Sequence, residues 1–124
     1  MKVVIKKVNR ELEVVEINGE LEQMQEIVGG FIERIEIPML SEHKIDLYIN
    51  EEGKLFDLDD NVALIRNNTL LDIIKGDFFM IGYLEDTGEN CSLSDEQISF
   101  ISNNLFANSY AVMLDDKILK CIKV

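Results

Sequence analysis

Residues 77–83 read Asp77-Phe78-Phe79-Met80-Ile81-Gly82-Tyr83 (DFFMIGY), an apolar run bounded by an acidic residue and a glycine. Aromatic and β-branched residues favour strands, and a short continuous apolar run is typical of a strand buried on both faces. Such a run can also line a ligand pocket, but a buried strand is its more common cause. We therefore predict a central strand here and interpret the rest of the chain around it.

Four segments before this run also carry strand patterns, and they are residues 2–8 (KVVIKKV), 12–17 (LEVVEI), 31–37 (FIERIEI) and 45–50 (IDLYIN). The first two predict an opening hairpin, and Pro38 should end the third or place it at an edge. Glu51-Glu52-Gly53 predicts a hairpin turn that leads into a strand at Lys54-Leu55-Phe56. The centre of the predicted fold is thus an antiparallel sheet.

Two segments predict helices. Within residues 20–28 the apolar side chains recur at helical spacing, and they are Leu21, Met24, Ile27 and Val28. Gly29-Gly30 follows this helix, whereas a phosphate-binding glycine loop precedes one, so we interpret the pair as the helix end. Ser94 and Gln97 form a capping box that predicts a second helix. Its inner face is expected to carry Ile98, Ile101, Leu105 and Phe106.

These patterns predict a single domain over residues 1–124, of the α+β class. We expect a mainly antiparallel β-sheet covered by two principal α-helices. The final segment, YAVMLDDKILKCIKV, predicts a C-terminal β-hairpin around Asp115-Asp116. Residues 61–74 are ambiguous between two short helical turns and loop segments.

The formal net charge is −12, from 24 acidic and 12 basic residues. Nucleic-acid binding depends on Lys and Arg that displace phosphate counterions, so direct binding to nucleic acid is not expected. The acidic excess either keeps the protein soluble or docks it on a basic partner. The apolar run near the N-terminus is too short for a signal peptide or a membrane span, which predicts a cytoplasmic protein without a membrane partner.

Metal, cofactor and catalytic chemistry find little support in the sequence. Cys91 and Cys121 are far apart and far from the single histidine, His43, and are expected to be ordinary thiols rather than zinc ligands. Residues 57–61 begin like a calcium loop but lack its glycine and its final glutamate. No nucleophile and base are visibly paired with His43, which we interpret as a solvated loop residue. We therefore predict no cofactor, no metal and no enzymatic activity.

Two acidic loops form the candidate interaction surface. Its residues are Glu51, Glu52, Asp57, Asp59 and Asp60 in the first loop, and Glu85, Asp86 and Glu89 in the second. If the loops lay on one side of the domain, they would form one strongly negative patch. Two separate solvated loops are the more common outcome of such charge runs.

Four segments in this order resemble an uncharacterised domain family of bacteria, phages and plasmids, the domain of unknown function number 3846. They are EINGELEQMQEIVGGFIE at 16–33, NEEGKL at 50–55, DIIKGDFFMIG at 72–82 and SLSDEQI at 92–98. The resemblance covers roughly residues 2–100, so that residues 1–103 form a family-like core and 104–124 a C-terminal extension. It implies a cytoplasmic protein of a bacterium or of its mobile elements. It implies no activity and no catalytic residues.

The leading hypothesis is a small, non-enzymatic, acidic accessory domain that binds a protein partner, with a homodimer through the terminal hairpin as one form. A more specific version is an inhibitor or DNA mimic encoded by a mobile element and directed at a basic protein. The alternative is a small-molecule or nucleotide-binding domain with a pocket between the first helix and the sheet.

Overall fold

The computed structural model describes residues 1–106 and 111–124. In these residues the helices are α1 (Leu21–Val28), α2 (Pro38–Ser41) and α3 (Asp95–Asn104). The strands are β1 (Lys2–Lys6), β2 (Leu12–Glu16), β3 (Ile32–Ile35), β4 (Ile45–Asn50), β5 (Asp60–Arg66), β6 (Thr69–Lys75), β7 (Phe78–Tyr83), β8 (Asn90–Cys91), β9 (Ala111–Leu114) and β10 (Lys117–Lys123).

The strands form two sheets. Sheet A has the order β2-β1-β7-β4-β3, is antiparallel throughout, and has β8 paired with the end of β7. Sheet B has the order β6-β5-β10-β9. Within sheet B the central pair β5–β10 is parallel, and its outer pairs are antiparallel.

The predicted fold class is wrong. About 44% of the protein is strand and 18% is helix, and the helices are short. A second sheet and α3 together cover one face of sheet A, and α1 lies on the other face. The physical reason is that sheet B depends on the β5–β10 pairing, which joins segments far apart in the chain and leaves no local pattern in the sequence.

The prediction of a buried central strand at DFFMIGY is confirmed. Strand β7 lies in the middle of sheet A, and its residues Phe78 to Ile81 are inaccessible to solvent. Phe78 and Met80 face the main core, which includes residues of sheet B and α3. Phe79 and Ile81 face a second core with Met24 and Val28 of α1. Because its alternate side chains enter two cores, β7 must be apolar on both faces.

Helices form at both predicted positions, but they are short and do not cover the sheet as predicted. Helix α1 ends at Gly29, whose φ of 77° and N–H bond to the Gln25 carbonyl fit a left-handed C-cap. Helix α3 begins after Ser94, which forms the predicted capping box with Gln97. The opening hairpin β1–β2 is also present. The third predicted strand, β3, ends at Ile35 and lies at an edge of sheet A, as expected. Pro38 occupies the first turn of α2, where its missing N–H costs no helical hydrogen bond.

Two local predictions are wrong. Lys54-Leu55-Phe56 is not a strand but part of a turn-rich loop between β4 and β5. Residues 61–74 form neither helical turns nor loops, since they belong to the hairpin β5–β6. Asn67 and Asn68 have φ values of 50° and 63°, the left-handed pair that a two-residue hairpin turn needs and that asparagine tolerates.

The predicted C-terminal hairpin is confirmed in the described residues as β9–β10, with Asp115-Asp116 at its turn. The first residue of the predicted segment, Tyr110, lies outside the described residues. Strand β10 does more than close a hairpin, because it also pairs with β5 and places Ile122 in the main core. The expected C-terminal extension is therefore built into the core of the protein.

A buried polar contact joins the two sheets. Lys6 of β1 and Asn61 of β5 are each 5% exposed. The Lys6 ammonium donates to Asn61 Oδ1 and to the Lys7 carbonyl, each at 2.9 Å. Asn61 Nδ2 donates to the carbonyls of Lys6 and Gly76, again at 2.9 Å. One asparagine of sheet B thus satisfies polar groups of sheet A and of the β6–β7 turn together.

Replacing Asn61 by alanine is expected to lower the free energy of unfolding by about 2 to 4 kcal/mol, because two buried carbonyls and part of a buried ammonium lose their partner. Chemical denaturation measures the change. Asn103→Ala on the exposed side of α3 is the control and should change stability by less than about 0.5 kcal/mol. A loss below about 1 kcal/mol for Asn61→Ala would contradict a structural role for this contact.

The Lys6 ammonium also predicts a pH dependence. Burial and the nearby Lys120 ammonium lower the pKa of Lys6 from its ordinary value of 10.5, while Glu11 and Asp77 oppose them. Between the lowered folded pKa and the ordinary value, the unfolded chain holds more protons than the folded protein, so stability from this group rises with pH. The stability difference between wild type and Lys6→Met should move in favour of wild type from about pH 8 to about pH 10. A difference that stays constant over this range would contradict it.

Candidate functional site

Residues 51–59, here called the tip loop, connect β4 to β5 and carry four of the eight predicted surface residues. Asn50, which is 5% exposed, anchors the start of the loop. Its Nδ2 donates to the Val28 carbonyl at 3.0 Å, and its Oδ1 accepts from the Glu52 N–H at 2.8 Å. The loop is therefore tied to the end of α1. Gly53 fits because a Cβ there would lie 2.9 Å from the Lys75 carbonyl oxygen.

Ion pairs fix the far side of the tip loop. The Lys75 ammonium lies 2.9 Å from the Asp57 carboxylate and 3.4 Å from that of Asp60, the predicted surface residue at the start of β5. The hydrogen bond from Lys75 lowers the pKa of Asp57 below its ordinary value. Lys54 pairs with Asp72 of β6. Asp57 and Asp60 are thus engaged within the protein, whereas Glu51 and Asp59 extend into solvent.

The apex of the tip loop is apolar. Leu55 and Phe56 are 75% and 65% exposed, although both are large hydrophobic side chains. The backbone beneath them turns once, with N–H bonds from Phe56 to Glu52 and from Leu58 to Gly53. These two adjacent side chains form a small exposed apolar patch at the apex of an anchored acidic loop.

The second acidic loop lies at the other end of sheet A. Strand β4 pairs with β7 so that Ile45 is opposite Gly82, and the chain leaves β7 next to Lys44. Glu85 forms an ion pair with Lys44 at 3.7 Å, and Glu85, Asp86 and Glu89 are exposed. The tip loop starts beyond the opposite end of β4, about 20 Å away at the rise of a strand. The eight predicted residues therefore fall into two separate groups.

A cleft of about 210 Å³ opens between the edge strands of the two sheets, beside the tip loop. Its apolar lining includes Ile35 and Ile49 of sheet A and Leu64 and Ile74 of sheet B. Glu33, Glu36, Glu51 and Asp72 supply carboxylates, and Lys54 and Lys75 supply the cations. The cleft was missed at the sequence level because its two walls belong to different sheets, of which the second was not predicted.

Comparison with protein families places a match over residues 1–106, to the domain of unknown function DUF3846. The chain belongs to the DUF3846 family. The match includes both acidic loops and both walls of the cleft, and it ends before β9 and β10. Comparison with curated proteins and comparison with solved structures each gave no match.

The DUF3846 domain also contains a polar network on the face of sheet A that carries α1. The Asp46 carboxylate, 6% exposed, lies 3.4 Å from Arg34 and accepts from Asn90 Nδ2 at 3.1 Å. The Tyr48 hydroxyl donates to Asn90 Oδ1 at 3.0 Å, and burial followed by the nearby Asp46 raises the pKa of Tyr48. Each of these polar groups has a partner inside the protein. The network ties β8 and β3 to β4.

The single histidine and the two cysteines do not line the cleft. His43 is exposed and stacks on Phe100 of α3, with 3.7 Å between ring centroids. Cys91 and Cys121 are free thiols, and burial raises the pKa of Cys121. In residues 1–106 and 111–124 no three His, Cys, Asp or Glu side chains are arranged to hold a metal ion. None of the helices in the same residues has the length and apolar character needed to cross a membrane.

Asn50→Ala is expected to release the tip loop while leaving sheet A paired. The Val28 carbonyl and the Glu52 N–H lose their shared partner, so amide hydrogen exchange in residues 51–58 should accelerate by about tenfold or more. Exchange followed by mass spectrometry measures this, with β7 as the internal reference. If the amides of the loop in Asn50→Ala exchanged at the wild-type rate, the anchoring role of Asn50 would be contradicted.

Proposed function

We propose that this DUF3846 domain is a non-enzymatic module that binds a basic protein partner through the tip loop. The observation that supports it is the exposure of Leu55 and Phe56 at the apex of a loop that also carries Glu51, Glu52 and Asp59. In this proposal the protein acts in the cytoplasm of a bacterial host, a setting expected from the sequence and from the family resemblance. The domain would serve as an accessory protein or an inhibitor encoded by a mobile element.

The arrangement suits a protein interface for two reasons. Interfaces combine a few apolar or aromatic anchors at the centre with a polar rim, and Leu55 and Phe56 surrounded by carboxylates provide both. A net charge of −12 also attracts a basic partner over long range, which raises the association rate at low salt. The internal hydrogen bonds of the tip loop reduce the entropy lost on binding.

The version in which the acidic loops imitate DNA is the weaker one. A DNA mimic needs carboxylates spaced like phosphates along a continuous face. The tip loop and the loop of Glu85, Asp86 and Glu89 lie at opposite ends of β4, and Asp57 and Asp60 are already paired with Lys75. We therefore favour a single-loop interface over a two-loop mimic.

A homodimer through the terminal hairpin remains part of the proposal. Strand β9 is the outer strand of sheet B, and edge strands can pair with a second copy. Met113 and Ile118 are opposite each other in the hairpin and are 73% and 71% exposed. The tip loop contacts β6, at the opposite edge of sheet B from β9. Such a dimer would therefore leave the tip loop accessible to a partner.

Small-molecule or nucleotide binding is the second candidate, and the cleft between the sheets favours it. Its volume of about 210 Å³ lies below the roughly 300 to 1,000 Å³ of typical ligand sites. The carboxylates in its lining repel phosphate groups, and its two lysines are paired with acids. The cleft therefore suits a small cationic or apolar group better than a nucleotide.

The proposal predicts that partner capture from bacterial lysate depends on the tip loop. Leu55→Ser with Phe56→Ser should abolish capture of a basic protein, because the interface loses its apolar anchors. Glu51→Gln with Glu52→Gln and Asp59→Asn should weaken capture and reduce its salt dependence, because the attractive carboxylates are removed. Quantitative mass spectrometry at low and high salt measures both effects.

The matched control removes the same number of charges from the other loop, as Glu85→Gln with Asp86→Asn and Glu89→Gln. Capture by this variant should equal that by wild type. If the two triple variants lost the same amount of partner capture, the attraction would come from net charge alone and not from a tip-loop interface. Retention of the partner by the Leu55→Ser, Phe56→Ser variant would overturn the proposed function.

A further inference from the structure

Strand β3 is one of the two outer strands of sheet A. One face of β3 borders the cleft. Among the described residues β3 pairs with β4, and it stands at the end of the strand order. We propose that β3 takes an extended segment of the partner as a further antiparallel strand, with a Lys or Arg side chain of that segment seated in the cleft. This deepens the proposed function, since it names what the basic partner presents next to the tip loop.

The backbone of β3 has groups available for such a strand. The Glu51 N–H donates to the Phe31 carbonyl at 2.8 Å, which makes Phe31 and Glu51 a hydrogen-bonded pair. Hydrogen-bonded and non-bonded pairs alternate along an antiparallel ladder. In the register of β3 with β4, Glu33 and Ile35 therefore point their backbone groups at β4. The N–H and C=O groups of Ile32 and Arg34 point outward, to the open edge.

The side chains of β3 determine which extended segments can pair with its open edge. Glu33 is opposite Ile49, and Ile35 is opposite Leu47, so Glu33 shares the face that borders the cleft. A charge on the inner face of an edge strand normally blocks pairing, because an added apolar strand would bury it without a partner. A Lys or Arg opposite Glu33 removes that penalty. The same carboxylate thus rejects generic strands and accepts a cationic one.

The rest of the cleft supports a side chain with an aliphatic stem and a cationic end. The Lys54 and Lys75 ammonium groups are paired with Asp72, Asp57 and Asp60, so they do not neutralise Glu33, Glu36 or Glu51. Ile35, Ile49 and Leu64 give the apolar contact that a Lys or Arg stem uses. The volume of the cleft fits one side chain better than a cofactor-sized ligand.

The test is an NMR titration of the ¹⁵N-labelled full chain with the peptide acetyl-Val-Thr-Lys-Thr-Val-amide at low salt. In antiparallel pairing its lysine faces Glu33, and its threonines are opposite Ile32 and Arg34. We expect saturable shifts of the Ile32 and Arg34 amides. Glu33→Gln should weaken binding by about fivefold, the effect of one accessible ion pair, whereas Glu96→Gln on α3 should leave it unchanged.

Two altered peptides make the result specific. Norleucine in place of lysine should weaken binding to wild type, and the norleucine peptide should bind Glu33→Gln more tightly than wild type, because an apolar side chain leaves the Glu33 carboxylate without a partner. N-methylation of the two threonines removes their N–H groups and should abolish the shifts of β3. Shifts that do not saturate, that fall outside β3 and the cleft, or that persist with the N-methylated peptide would overturn the proposal.

The two proposals fail separately. The Leu55→Ser, Phe56→Ser variant should bind the lysine peptide like wild type, because the tip apex does not line the cleft. If partner capture depends on the tip loop but the peptide does not bind, the strand addition alone is overturned. If the peptide binds at β3 but partner capture does not depend on the tip loop, the tip-loop interface alone is overturned.

Discussion

The fold depends on the contact between Lys6 and Asn61, because there the two sheets share a polar group that water cannot reach. Asn61 lies where the β5–β6 ladder shifts register, so its side chain is free to bond outside its own hairpin. An apolar residue at this point would remove one of the two hydrogen-bond acceptors of the Lys6 ammonium and the side-chain donor to two carbonyls. The contact therefore joins sheet B to sheet A by hydrogen bonds, next to the apolar core that the two sheets share.

The elements predicted from the sequence are those with a local physical cause. The end of α1 at Gly29, the capping box at Ser94 and the alternation of 45–50 each depend on residues close together in the chain, and the structure has all three. The hairpin β5–β6 also carried a local signal in Asn67-Asn68, a pair suited to a left-handed turn, which was not recognised. The β5–β10 pairing joins Ala63 to Cys121 and has no such signal.

The candidate surface was predictable in composition but not in arrangement. Its eight acids were visible in the sequence, whereas their division between two ends of β4 follows from the register of sheet A. The sequence predicts a strand at Leu55 and Phe56 because they follow Glu51-Glu52-Gly53, which is interpreted as a hairpin turn. Their exposure follows from the tertiary structure, since the tip loop is held by Asn50 and Lys75 and leaves its apex outside the core. The cleft required both sheets and could not be anticipated from one.

The parallel pairing of β10 with β5 also has a consequence for how the chain folds while it is being synthesised. Residues 60–75 leave the ribosome before the strand that pairs with the other side of β5, which follows about 58 positions later. At roughly 5 to 20 residues per second, that interval lasts about 3 to 12 seconds. During this time Ala63 and Ile65 lack the cover of Leu119 and Cys121. The nascent chain thus carries an incomplete β5 edge for seconds, a period in which chaperones or neighbouring nascent chains can reach it.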